Sequence, residues 1–205
     1  MKRLGFACLI LLGLGGLVPA AASEHGSRNR SAQDQGPGIW SGVERVVAIG
    51  DVHGDYEQLV AVLQSAALID GQLNWTGGKS HLVQNGDVLD RGPDSRKAMD
   101  LLMQLEKQAN EAGGYVHCLI GNHEAMNVYG DLRYTSPGEY AAFRDANSEK
   151  LREAEFQKEQ PADRVHWEAL HPLGYFEHRQ QMGPGGYYGK WISSHDTVIK
   201  INDSL

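Results

Sequence analysis

The amino-acid sequence predicts an α/β fold with a parallel sheet, and three observations support this prediction. Short apolar runs at 45–49, 81–83 and 115–120 each lead into a glycine and a polar residue, as buried strands do where they leave a sheet. Apolar residues recur at helical spacing in both segments between these runs. The order strand-helix-strand-helix-strand is typical of parallel strands joined by helical crossovers. Ligands bind at the carboxyl ends of such strands, so the polar residues found there are the candidates for function.

The two predicted crossover helices have clear starts and apolar faces. Asp55 is placed to cap the first helix, and Asp94 or Ser95 caps the second, which ends at 113–114. The apolar positions are Tyr56, Leu59, Val60, Leu63 and Ala67 in the first helix, and Ala98, Leu101, Leu102, Leu105 and Ala109 in the second. Residues 138–182 are predicted to be mainly helical, and 197–201 to begin another strand.

Three segments are predicted along the chain. Residues 1–22 resemble a secretory signal, with Lys2 and Arg3 before an apolar run that ends in three alanines. A retained membrane anchor is the alternative, but the run is short for a full span and polar sequence follows directly. We therefore expect an exported protein, periplasmic or secreted, with no stable membrane insertion after cleavage. Residues 23–42 predict a flexible leader, and 43–205 predict the folded domain.

Charge and cysteine content limit the possible partners. The formal net charge is −7, and removal of the basic signal would make it more negative. An acidic protein has no electrostatic reason to bind nucleic acid or anionic lipid, so phosphate binding would need locally concentrated positive charge, which metal ions supply. After residue 22 the sequence contains one cysteine, Cys118, which we interpret as a buried structural thiol.

The first polar block, Gly-Asp-Val-His-Gly at 50–54, suggests a metal ligand pair. Asp51 and His53 are two residues apart, so an extended backbone points both side chains the same way. A carboxylate with an imidazole suits a borderline divalent metal, and Gly50 and Gly54 let the backbone bend tightly around it. Alone, this block is better explained as a turn before a helix capped by Asp55.

The second block, Gly-Asp-Val-Leu-Asp-Arg-Gly at 86–92, is more informative. Asp87 follows a strand, and its carboxylate can bridge two metal ions. The planar guanidinium of Arg91 fits phosphate oxygens, although an ion pair between Asp90 and Arg91 that closes the loop is the alternative.

The third block, Gly-Asn-His-Glu at 121–124, completes the set. Asn122 offers a neutral oxygen ligand, and His123 is placed to act as a general acid. Because the three blocks follow three successive strands at nearly equal spacing, we expect them to form one site.

These three blocks resemble those of calcineurin-like metallophosphoesterases, and in particular those of the phosphoprotein phosphatase family. The continuation Ala125-Met126-Asn127, followed by Gly-Asp-Leu-Arg-Tyr at 130–134, resembles the bacterial-type, Shewanella-like branch of that family. The resemblance covers residues 44–205 and is strongest over 46–134. It implies a two-sheet sandwich fold and a phosphoric monoester hydrolase with two divalent metal ions, for which manganese, iron and zinc are equally suited.

The resemblance also implies a role for each matched residue. Asp51 and His53 hold the first metal, Asp87 bridges, and Asn122 holds the second metal. Metal-bound hydroxide attacks phosphorus in line.

Three further residues act on the substrate by the same resemblance. Arg91 binds phosphate oxygens, and His123 protonates the leaving group in an orientation set by Asp90. The implied substrate is a phosphorylated protein, a phosphopeptide or a small phosphoester.

The family pattern includes two more histidine blocks, beginning with a His-Gly-Gly after a strand, and neither occurs in these 205 residues. We therefore expect 43–205 to be the N-terminal β-α-β-α-β half of the domain, truncated at its C-terminus, with the second sheet largely missing. We expect it to hold one metal weakly and to be a poor phosphatase; His195 is the least unsuitable substitute ligand. A diadenosine-polyphosphate or nucleotide hydrolase, and an inactive phosphate-binding remnant, are the alternatives.

Overall fold

The computed structural model describes residues 34–36 and 38–204 of the chain. Its main sheet has three parallel strands in the order β3-β4-β5, where β3 is Val46–Ile49, β4 is His81–Gln84 and β5 is Tyr115–Cys118. The register is continuous, with Ile49 opposite Gln84 and Gln84 opposite Cys118, so the three strands end at one level. The predicted parallel sheet is confirmed.

Two helices connect these strands. α1 spans Tyr56–Ser65 and α2 spans Ser95–Glu111. Asp55 Oδ1 accepts a hydrogen bond from the backbone N–H of Gln58 at 3.1 Å, which caps α1 as predicted. Both helices bury their apolar faces in the main core, whose fully or nearly fully buried members include Leu59, Leu63, Ala98, Leu101, Leu102, Leu105 and Ala109.

The region after β5 is helical, in agreement with the prediction for 138–182. The helices are α3 Asn122–Tyr129, α4 Pro137–Ala142, α5 Ser148–Glu159, α6 Arg164–Leu170, α7 Tyr175–Met182 and α8 Tyr187–Ile192. The helix α8 was not predicted. It follows the glycine-rich loop 183–186 and adds Tyr188 and Ile192 to the main core.

A second, small sheet corrects the prediction of a flexible leader over 23–42. β1, Asp34–Gly36, pairs antiparallel with β2, Ile39–Trp40, and β2 pairs parallel with β6, Lys200–Ile201. Ordered structure therefore begins before position 43, because the end of the leader finds its backbone partners in a strand nearly 160 residues later. The rest of the leader, and the predicted signal at 1–22, lie outside the described residues.

The strand β3 differs from the prediction of a buried strand. Its exposure alternates along the chain, and Val46 is 42% exposed. β3 is an edge strand of the described sheet, with β4 on one side, so half of its side chains face away from the core.

Two strand histidines are structural. The Nδ1 atom of His81 and the Nε2 atom of His117 are 3.0 Å apart, and the ring of Trp40 packs edge-on against both. Burial lowers the pKa of His81 to about 4 and that of His117 to about 3. Both rings are therefore neutral members of the core at neutral pH.

The described part of the chain has no helix with the length and apolar character that crossing a membrane requires.

Candidate metal centre

The three polar blocks meet at the carboxyl ends of β3, β4 and β5, and backbone hydrogen bonds join them. The N–H groups of Val52 and His53 both donate to the carbonyl of Asp87, at 3.0 Å each. The N–H group of Gly92 donates to the carbonyl of His53 at 2.9 Å. The first two loops are therefore held in one fixed arrangement by their main chains.

Glycine allows this close approach at Gly54 and Gly92, which lie against each other. A Cβ atom on Gly92 would be 2.4 Å from the carbonyl oxygen of His53, and one on Gly54 would be 2.7 Å from the Gly92 backbone. Gly54 also has a φ of +67°, which L-residues rarely adopt. Gly50 differs, because a Cβ atom there would meet nothing within 4 Å. Of the two glycines predicted to be needed in the first block, the geometry requires Gly54 alone.

The structure brings three of the predicted site residues into one cluster. His53, Asp87 and His123 each offer a ligand atom, and these atoms all lie within 4.8 Å of one another. The rings of His53 and His123 meet edge to face, with centroids 4.7 Å apart. The three residues come from three different blocks, so the prediction of a single site is supported by the geometry.

His53 is oriented as a metal ligand. Its Nδ1 atom lies 2.9 Å from the carbonyl oxygen of Leu89, which can only accept, so Nδ1 carries the proton in the neutral ring. The lone pair is then on Nε2, which is buried and has no hydrogen-bond partner within the described chain. A buried nitrogen of this kind is costly unless something binds it, and a divalent metal fits. The imidazole and carboxylate donors match the borderline metals that the sequence predicts.

Asp51 and Asn122 lie at the rim of this cluster. The Oδ2 atom of Asp51 is 3.4 Å from Nε2 of His53, and its side chain is 64% exposed. Asn122 is the first residue of α3 and is exposed, and its amide nitrogen lies 3.9 Å from the sulfur of Met126. Asp51 is therefore placed beside the open nitrogen of His53, while the ligand role of Asn122 stays a prediction.

Asp90 and His123 form a buried pair. Oδ2 of Asp90 lies 2.6 Å from Nδ1 of His123, and the Asp90 side chain has no solvent exposure. Its other oxygen accepts from the amide of Asn127 at 3.1 Å and from the hydroxyl of Thr135 at 2.9 Å. The carboxylate is thus held on both sides, and it fixes the plane of the His123 ring.

Arg91 is separate from this pair. Its guanidinium is exposed and makes no ion pair or hydrogen bond within the described residues, so the alternative of an Asp90–Arg91 ion pair is wrong. An exposed guanidinium with no ion pair or hydrogen bond among the described residues is available to bind phosphate oxygens.

Two buried glutamates that brace the second block were not assigned roles from sequence. The carboxylate of Glu124 accepts from the backbone N–H groups of Asp87 at 2.7 Å, Val88 at 2.8 Å and Gly121 at 2.9 Å. Burial raises the pKa of this carboxyl, and the hydrogen bonds oppose that shift. Glu124 stands three residues after Gly121 at the start of α3, the position of a capping-box acid, and that pattern is the sequence signal for it.

Glu139 plays the same part for Asp90. Its Oε1 atom accepts from the Asp90 N–H at 3.0 Å, and Oε2 accepts from the Ser136 N–H at 2.9 Å. Burial raises the pKa of this carboxyl as well. The glutamate lies 49 residues from Asp90 in sequence, so the contact depends on the fold and no local pattern reveals it.

Four residues of the site adopt left-handed backbone conformations. The φ angles are 48° at His53, 57° at Asp87, 70° at Asp90 and 67° at Arg91. Each such conformation costs about 1–3 kcal/mol in a residue other than glycine, and it persists where surrounding contacts impose it. For Asp87 and Asp90, those contacts are the hydrogen bonds that their backbone N–H groups donate to Glu124 and Glu139.

Comparison with known proteins agrees with this geometry. The family model of the calcineurin-like phosphoesterases matches residues 44–202. Shewanella-like protein phosphatase 2 of Arabidopsis thaliana is 48% identical over 93 residues, which are 45% of this chain and 24% of that protein. Shewanella-like protein phosphatase 1 of Plasmodium berghei is 41% identical over 110 residues, which are 53% of this chain and 30% of that protein.

A solved structure shares both fold and sequence with the chain. It is the cold-active protein tyrosine phosphatase of a psychrophilic Shewanella species, which is 34% identical with a TM-score of 0.59, over 80% of this chain and 41% of that one. The chain thus spans less than half the length of each of these proteins. The match over 44–202 and these relatives show that the chain belongs to the calcineurin-like phosphoesterase family, in its Shewanella-like phosphatase branch.

Proposed function

We propose that the chain is a metal-dependent phosphoric monoester hydrolase of the protein-phosphatase type. The observation that carries this proposal is the clustering of His53, Asp87 and His123, with Asp90 behind His123. Metal donors and a hydrogen-bonded histidine thus stand at one place.

The metal would be held by His53 and Asp87, with Asp51 beside them. One oxygen of Asp87 accepts from the backbone N–H of His123 at 3.1 Å, which leaves its second oxygen for a metal. When bound, a divalent ion neutralises charge on phosphoryl oxygens and makes water more acidic. We propose a dinuclear centre for the complete family domain, with Asp87 as the bridge. The 205 residues contain no His-Gly-Gly sequence, so we propose that those present hold one ion of manganese, iron or zinc.

His123 is proposed as the proton donor to the leaving alcohol. Asp90 occupies its Nδ1 side, so Nε2 is the nitrogen that can meet the substrate. A buried carboxylate bound to the ring stabilises the charged imidazole from which a proton is delivered. The contact with Asp90 would also orient His123 if it were a metal ligand. Metal binding separates the two roles, because it requires His123 only if His123 is a ligand.

Arg91 is proposed to bind the phosphoryl group. Two parallel N–H groups of a guanidinium match two phosphate oxygens, and the exposed side chain needs to break no existing contact to do so.

Phosphotyrosyl peptide is the first substrate to test, because the solved neighbour is a protein tyrosine phosphatase. Phosphate release should be measured from p-nitrophenyl phosphate, phosphotyrosyl and phosphoseryl peptides, and diadenosine tetraphosphate, with and without manganese. We expect slow, manganese-dependent hydrolysis of monoesters, abolished in His123→Gln while manganese still binds. Preferential cleavage of diadenosine tetraphosphate, or manganese binding with no monoester hydrolysis, would contradict the proposal.

We also propose that residues 1–22 direct export, on the sequence pattern alone. Fusion of these residues to a reporter that is active only outside the cytoplasm tests this. Export is supported if the fusion loses activity when Lys2 and Arg3 are replaced together with part of the apolar run. An inactive wild-type fusion contradicts export.

A further inference from the structure

A second cluster of metal-binding side chains shares no residue with the candidate metal centre. We propose that Glu106, Cys118 and His195 form a binding site for one zinc ion, with three protein ligands and a fourth position for water. Their ligand atoms, a carboxylate oxygen, a sulfur and a ring nitrogen, all lie within 4.8 Å of one another. The family resemblance gives none of the three a role. His195, the substitute metal ligand considered from sequence, groups with Glu106 and Cys118 and not with His53, Asp87 and His123.

The three donors come from different parts of the fold. Glu106 lies in the last third of α2, Cys118 is the last residue of β5, and His195 lies in the loop after α8. The same loop is joined to the chain after β5 by the Ile120 N–H, which donates to the carbonyl of Asp196 at 3.0 Å. Two of the donors therefore stand on a helix and a strand, and the third stands on a loop that a backbone hydrogen bond ties to the chain after β5.

The donor set is selective for zinc. Thiolate, imidazole and carboxylate are the three protein ligands that zinc takes, usually in a tetrahedral arrangement that water can complete. A sulfur donor disfavours magnesium, calcium and manganese, which prefer oxygen. The donors of the candidate metal centre include no sulfur. We therefore expect manganese to bind there and zinc to prefer the cluster that contains Cys118.

Neighbouring groups hold the three donor side chains in place. Oε1 of Glu106 lies 2.7 Å from Nε2 of His195, and Oε2 accepts from the indole N–H of Trp191 at 2.9 Å. The indole fixes one carboxylate oxygen, as outer-shell donors do in zinc sites. The other oxygen shares a hydrogen bond with the His195 ring, and a bound metal would replace the shared proton. A cavity of about 10 Å³ adjoins Cys118 and His195, a space of roughly one water molecule that could supply the fourth ligand.

Without metal, hydrogen bonds join the members of the cluster, because the Cys118 thiol and the His195 ring both contact the Glu106 carboxyl group. Burial raises the pKa of the Cys118 thiol well above its ordinary value, so zinc must displace the thiol proton when it binds. The ion would then tie α2, β5 and the loop after α8 together. Because β5 leads directly into the third polar block, this clamp would stabilise the edge of the sheet on which the phosphatase residues stand.

Cobalt spectroscopy tests the site directly. In a Cys8→Ser background Cys118 is the sole cysteine, so a thiolate-to-cobalt charge-transfer band can arise from this cluster alone. We expect one such band per chain on cobalt titration, its loss when zinc is added, and a higher Tm with zinc. Absence of the band in the folded protein overturns the proposal.

Two variants and a control identify the ligands. Cys118→Ser should abolish the band, and His195→Gln should weaken cobalt binding by about ten-fold or more, the effect typical of a lost ligand or outer-shell partner. His195 is partly exposed, so His195→Gln should fold even if Cys118→Ser, at a buried position, does not. His166→Gln, at an exposed histidine, should bind cobalt like the parent. Unchanged affinity in His195→Gln refutes the three-ligand site.

Discussion

Oδ2 of Asp90 lies 2.6 Å from Nδ1 of His123. Both side chains are buried, with at most 3% of their surface exposed. Two separate donors, from Asn127 and Thr135, hold the far oxygen of the carboxylate. This pair links the second polar block to the third, and the proposed chemistry depends on it.

Replacement of Asp90 by Asn should slow the chemical step. The ring of His123 would lose its anionic partner, so we expect kcat to fall by about 10²-fold or more, within the usual range for a general acid. KM and manganese affinity should change little. Asp203→Asn, at an exposed carboxylate, is the control. A fall in manganese affinity as large as the fall in kcat would indicate that His123 acts as a ligand.

Replacement of Arg91 by Lys should weaken phosphate binding. Lysine keeps the charge and loses the planar pair of donors, so we expect KM for a phosphomonoester to rise by about ten-fold, the size of one lost charge-assisted hydrogen bond. Inhibition by inorganic phosphate should weaken in parallel. The same change at the exposed Arg144 should have no effect. If phosphate inhibits Arg91→Lys as strongly as the wild type, Arg91 does not bind the phosphoryl group.

Two glycines in one motif should respond differently to alanine. Gly54→Ala places a Cβ atom 2.7 Å from the Gly92 backbone at a φ of +67°, so it should displace the loop and abolish metal binding. Gly50→Ala meets no atom within 4 Å and should keep nearly wild-type stability and metal affinity. Thermal unfolding with and without manganese measures both. Equal damage from the two substitutions would contradict the described loop packing.

Stability should fall as the pH drops below about 6.5. Burial lowers the pKa of His81 to about 4, of His117 to about 3 and of His178 to about 4, whereas the unfolded chain protonates them near 6.5. The unfolded state therefore binds more protons between these values, and the free energy of unfolding should decrease there by roughly 1–3 kcal/mol per pH unit. Urea unfolding at several pH values checks this. His117→Gln should flatten the dependence, and His166→Gln should leave it unchanged.

The sequence was sufficient to predict what depends on local pattern. Strand runs, helical spacing and three blocks at regular intervals predicted the parallel sheet, and the structure brings His53, Asp87 and His123 together as expected. Contacts between distant segments were not predictable in this way. The pairing of β2 with β6 and the support of Asp90 by Glu139 depend on tertiary packing, and neither leaves a periodic signal.

Manganese binding to the His53 variant is the most direct test of the central claim. Titration of the 205-residue chain, followed by the paramagnetic resonance of free manganese, should show one ion bound per chain. His53→Ala should lose that binding because it removes the buried, unpartnered Nε2 atom, while His166→Ala should bind like the wild type. Manganese binding by His53→Ala with wild-type affinity would contradict the assignment of this cluster as the metal centre.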